Sequence, residues 1–133
     1  MSRVYLDPGV LLARPDAVEV ADPPLASNAA DALRTLADTG HELVLLGSQH
    51  VHLPDSFPNI RAAVGIDPEP AMAWYLTSDP ELCGRRQPGL RTVLVGPGPA
   101  THRTAIQRCD IHTRDLHAAV IEILSREAMA PVG

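Results

Sequence analysis

Three polar residues follow closely on apolar runs in this chain, and each is of a type that handles phosphate or metal. Asp7 comes after Val4-Tyr5-Leu6, Ser48 after Leu43-Val44-Leu45-Leu46, and Asp79 after Ala73-Trp74-Tyr75-Leu76. Two carboxylates held near one another repel unless a proton or a cation sits between them, and Mg2+ is the usual oxygen-seeking choice. A serine hydroxyl beside them can donate to a phosphate oxygen. A carboxylate fixed at a strand end can also attack phosphorus itself, giving an aspartyl phosphate that water later cleaves. The competing reading is local: Asp7-Pro8 and Asp79-Pro80 are both Asp-Pro pairs, a common way to begin a turn.

Other groups carry less. His50 and His52 alternate on an extended stretch near Asp55 and so point the same way. With no third metal ligand identifiable, solvated loop histidines are the simpler reading. His112 and His117 are spaced so that they do not stack on one helix face, and His102 sits in a polar stretch. Gly96-Pro97-Gly98-Pro99 lacks the Lys and Ser or Thr of a nucleotide-binding P-loop and reads as a rigid turn. All 11 basic residues are arginines. A lysine amine is therefore excluded as phosphate ligand, Schiff base or proton carrier. Cys83 and Cys109 lack metal-site spacing, so reduced, buried thiols are expected, and Cys83 beside Arg85 and Arg86 reads as packing.

The elements that must position these groups follow from composition and periodicity. With 133 residues, 45% hydrophobic and 20% charged, the chain suits one domain around one core, and its 13 prolines and 9 glycines demand short, sharply bounded elements. A net charge of -5 with scattered arginines excludes a generally basic nucleic-acid binder. No apolar run approaches the roughly 20 residues of a membrane span. Asp7 and Pro8 come too early for the apolar core of a signal peptide, so a cytoplasmic location is expected.

Apolar β-prone runs predict strands at 4–6, 43–46, 62–64, 73–76 and 91–95, with a short extended piece at 110–112. Residues 10–26 read as a loop or small flap. Ala29, Ala32, Leu33, Leu36 and Ala37 recur at the spacing of one buried helix face, with Ser27 or Asn28 as cap and Gly40 as terminator. A last helix, capped by Thr113, carries Leu116, Val120, Ile123 and Leu124 on its inner stripe. Trp74 and Tyr75 are assigned to the core. Continuously apolar strands separated by amphipathic helices predict an open α/β sheet, in which ligands bind outside the carboxyl ends of the strands.

The same residues carry a family resemblance. Val4-Tyr5-Leu6-Asp7-Pro8-Gly9-Val10-Leu11 is similar to the first motif of the haloacid dehalogenase (HAD) superfamily, and Leu43 to Ser48 resembles its second, a strand ending in Ser or Thr. Trp74-Tyr75-Leu76-Thr77-Ser78-Asp79, followed by Pro88-Gly89-Leu90-Arg91-Thr92-Val93-Leu94-Val95, resembles the acidic fourth motif and the strand after it. The likeness covers nearly the whole chain. It implies a three-layer, Rossmann-like, mainly parallel sheet with flanking helices and, with no room for an inserted cap, a capless member. Residues 1–127 would form the single HAD-like domain and 128–133 a C-terminal tail. The resemblance also implies Mg2+-dependent phosphoryl transfer, with Asp7 as nucleophile and metal ligand, Asp79 as metal ligand and Ser48 on phosphate. Arg61 would stand for the third motif's basic residue, with Arg85 or Arg86 as alternatives.

The departures bear on rate. Where the family has a second Asp, two residues after the nucleophile, this chain has Gly9, and the acid expected after Asp79 is missing apart from Glu81 nearby. Loss of a general acid costs about 10²- to 10⁴-fold. The expectation is a HAD-like hydrolase-related domain, at best a slow Mg2+-dependent phosphatase acting on a small phosphorylated molecule through an aspartyl phosphate. The alternative is a non-catalytic HAD-fold binding or scaffold module that meets a protein partner. A phosphorylation-receiver domain uses similar strand-end acids, but the missing lysine and the absence of paired N-terminal acids count against it.

Overall fold

Side chains alternate across a strand, so each apolar run in a sheet divides itself between two faces. In the computed structural model, which describes residues 3–11, 28–46, 57–65, 73–78, 90–96 and 109–129, six strands follow this rule. They are β1 (Arg3–Leu6), β2 (Glu42–Leu46), β3 (Arg61–Ala63), β4 (Ala73–Thr77), β5 (Leu90–Val95) and β6 (Ile111–Thr113). All neighbouring pairs are parallel, in the order β3-β2-β1-β4-β5-β6. Val4 and Leu6 of β1, Leu43 of β2, Trp74 and Leu76 of β4, and Val93 and Val95 of β5 form one core with the two helices. Tyr5, Val44, Leu46, Ala73, Tyr75 and Leu90 form a second cluster.

The helices are α1 (Ala29–Asp38) and α2 (Leu116–Met129), and they pack on each other and on the first of these faces. Ala29, Ala32, Leu33 and Leu36 are the buried positions of α1, as its periodicity predicts. Asn28 occupies the cap position, but its side chain makes no capping bond. At the other end Gly40, with φ 91°, turns the chain so that its N–H meets the Ala37 carbonyl at 3.0 Å and the His41 N–H meets that of Leu36 at 3.1 Å. This left-handed closure satisfies helix carbonyls that would otherwise be orphaned, and glycine adopts it without a Cβ penalty. Among the described residues no helix packs on the opposite face, although Tyr5, Val44 and Tyr75 there are buried.

Three local expectations change. Thr113 belongs to β6 and bonds backward to the Leu94 carbonyl at 3.2 Å; the cap of α2 is Asp115, whose Oδ1 accepts the Ala118 N–H at 2.7 Å. Val10 and Leu11, placed in a flap from sequence, lie in a 3-10 turn (Pro8–Leu11) and are buried in the core. Cys109 is disulfide-bonded rather than a reduced thiol; Cys83, the chain's other cysteine, lies outside the described residues. Among the described residues no helix is long and apolar enough to cross a membrane.

Candidate functional site

Strand order locates the crevice. From β1 the chain moves outward through β2 to β3, then returns to lay β4 on the other flank of β1 and continues outward to β5 and β6. The connections leaving β1 and β4 therefore part in opposite directions, and in open parallel sheets such a switch point opens a binding crevice at the carboxyl ends of the strands. Asp7 is the residue immediately after β1. Its backbone N–H continues the ladder to the Leu76 carbonyl at 3.0 Å, which sets it beside the end of β4.

The Asp7 side chain is half-buried and projects to the face that carries Tyr75. The Tyr75 hydroxyl donates to Asp7 Oδ2 at 2.7 Å. Tyr75 itself is 3% exposed, and a phenol so buried needs a partner for its hydroxyl. The core assignment of Tyr75 thus describes its ring correctly and misses its tip. The signal was present in the alternation of β4, where Tyr75 shares a face with Ala73 and Thr77, together with the general need of a buried phenol for an acceptor.

The remaining expected site residues divide. Ser48 and Asp79 each lie two residues beyond the last residue of their strand, β2 and β4, and fall outside the described residues. So do Arg85, Arg86, His50, His52 and Asp55. Arg61 begins β3, and its Nε donates to Glu42 Oε1 at 3.1 Å. Glu42 is in register with Arg3, four residues before Asp7, or roughly 13 Å along the strand direction. Arg61 is thereby engaged toward the amino rim. Among the described residues no three His, Cys, Asp or Glu side chains gather as a metal site.

That amino rim is densely paired. Arg3 Nε donates to Glu42 Oε2 at 2.9 Å and Arg3 Nη1 to the Tyr5 hydroxyl at 3.1 Å. These bonds, the one to Tyr5 foremost, hold the Arg3 guanidinium above its usual range, and the bond from Arg3 holds the Glu42 carboxyl below its own. A second cluster joins the helices to the sheet: His41 Nε2 lies 2.7 Å from Glu127 Oε2, while Trp74 Nε1 donates to Glu127 Oε1 at 3.0 Å. Arg91 lies over the Trp74 ring at 5.3 Å. An open cavity of about 260 Å³ at this rim is lined by His41, Glu42, Leu43, Asn59, Ile60 and Arg61, away from Asp7.

Comparison with known proteins bears on the fold. One solved structure is similar over 99% of this chain and 98% of its own, with a TM-score of 0.57 and 14% sequence identity. At that identity the likeness supports the parallel α/β architecture alone. No protein-family model matches the chain, and no curated protein matches it.

Proposed function

We propose that the chain is a capless HAD-like, hydrolase-related domain whose reactive group is Asp7, acting as a slow Mg2+-dependent phosphatase on small activated phosphates. The observation that carries this reading is the position of Asp7 at the end of the central strand, at the switch point and half-buried. Its carboxylate attacks phosphorus, the bond to the leaving group breaks, and the leaving group departs with the bonding pair. Water then cleaves the aspartyl phosphate, returning the carboxylate and releasing phosphate.

Gly9 narrows the substrate. It is buried in the 3-10 turn after Asp7 and has no side chain to protonate a leaving group. The substrates must therefore be phosphates whose leaving groups depart as stable anions, such as aryl or acyl phosphates, and the rate falls by about 10²- to 10⁴-fold against a site with a general acid. Mg2+ keeps several waters and needs only one or two protein carboxylates besides phosphate oxygens. Asp7 fits one such place, and Asp79, with Ser48 toward phosphate, completes the proposed set; Arg61, paired with Glu42 toward the other rim, is left out of it. When bound, the cation would neutralise charge on the transferring phosphoryl group.

The test is release of p-nitrophenol from its phosphate at high protein concentration. Turnover is expected only with Mg2+ and is expected to fall to background in Asp7→Asn. The same absent side chain at Gly9 favours a second reading, a non-catalytic module that binds a phosphorylated molecule or a protein partner through this rim. Absence of Asp7-dependent turnover would select it.

A further inference from the structure

Tyr5 and Tyr75 are register partners on adjacent strands and lie in the same buried cluster. Their hydroxyls serve opposite rims: that of Tyr5 accepts from Arg3 at the amino end, and that of Tyr75 donates to Asp7 at the carboxyl end. The two rings meet the same packing demand, so their difference lies in what each phenol touches. We infer that Tyr75 is a positioning residue for Asp7, fixing the rotation of its carboxylate toward an incoming phosphoryl group. This inference rests on the reading of Asp7 given above, and it assigns Tyr75 a role beyond the core.

The physical case has two parts. A 2.7 Å bond from a phenol to a carboxylate oxygen is short and charge-assisted, and it restricts rotation of the carboxylate about χ2. The donor is itself immobile, because the ring is 3% exposed and packed among Val44, Leu46 and Leu90. Partners that orient a ligating or reacting carboxylate in this way are typically worth about 10- to 100-fold in affinity or activity.

The experiment uses Mg2+ with beryllofluoride, a mimic of the transferring phosphoryl group, read by 19F NMR and titration calorimetry on the full chain. Wild type is expected to bind, and Asp7→Asn is not. Tyr75→Phe keeps the ring and is expected to weaken binding by about 10- to 100-fold. Its bound 19F resonances are also expected to move from those of wild type, since the carboxylate that meets beryllium has lost the donor that orients it. Tyr5→Phe, which removes the matching hydroxyl from the next strand, is expected to bind as wild type does. Equal affinity and equal 19F shifts in Tyr75→Phe and wild type would overturn the role of Tyr75 while leaving Asp7 in place. Equal weakening in Tyr5→Phe and Tyr75→Phe would overturn it as a general packing effect. No Asp7-dependent binding by wild type would overturn the role of Tyr75 and the reading of Asp7 together.

Discussion

The two rims of this sheet use carboxylates differently. At the amino rim Glu42 gives one oxygen to Arg3 and the other to Arg61, and Glu127 gives one to His41 and the other to Trp74. Each carboxylate there ties together elements distant in the chain: three strands in one case, and a helix, a strand and the closure of α1 in the other. At the carboxyl rim Asp7 takes a phenol hydroxyl from the neighbouring strand and stands at the place where strand order opens a crevice. The contrast teaches that charge on a parallel sheet is not evidence of function by itself. The groups at one end are consumed as joints, and in open parallel sheets the binding crevice lies at the other.

Substitutions at the amino rim should therefore change stability and spare Asp7-dependent binding. The largest effect is expected for Trp74→Ala, which empties a fully buried site in the helix-facing core and removes the indole donor of Glu127. Loss of a buried Trp costs about 3–5 kcal/mol, to be read as a lowered midpoint in urea unfolding. Glu127→Ala follows, at about 1–3 kcal/mol, because it leaves the Trp74 N–H and the His41 ring, whose side chain is 5% exposed, without this acceptor. In both variants the folded fraction should bind beryllofluoride as wild type does. Loss of that binding in Glu127→Ala, with the fold retained, would erase the distinction between the rims.

Much of the scaffold was legible because it depends on local pattern. The apolar runs gave the strands to within about a residue at most ends, and the Ala29 to Ala37 stripe gave α1 with its Gly40 terminator. The pairings across the sheet were not legible. Tyr75 meets Asp7 across 68 residues of chain, and Arg61 meets Glu42 only once the register of β3 on β2 is known. Thr113 was mistaken for a cap because a threonine before a helix suits either role; its hydroxyl is committed instead to the Leu94 carbonyl and that of Asp115. The disulfide at Cys109 was missed for a related reason, since proximity of two cysteines is a property of the fold and not of their spacing.

The smallest effect tests how little an exposed joint is worth. Glu42 is about half exposed, and its pairs with Arg3 and Arg61 lie where solvent and salt screen them. Glu42→Gln should cost no more than about 1 kcal/mol at neutral pH. The bond from Arg3 holds the Glu42 carboxyl below its ordinary value in the folded chain. Its contribution is therefore complete above about pH 4.3, the value for an unfolded glutamate, and is lost as pH falls through the lower folded value. Urea midpoints of wild type and Glu42→Gln should differ at pH 7, converge in acid, and approach one another at 1 M salt. A difference that persists in acid would mean that the carboxyl and the amide differ in the hydrogen bonds they make to Arg3 and Arg61, and not through charge alone.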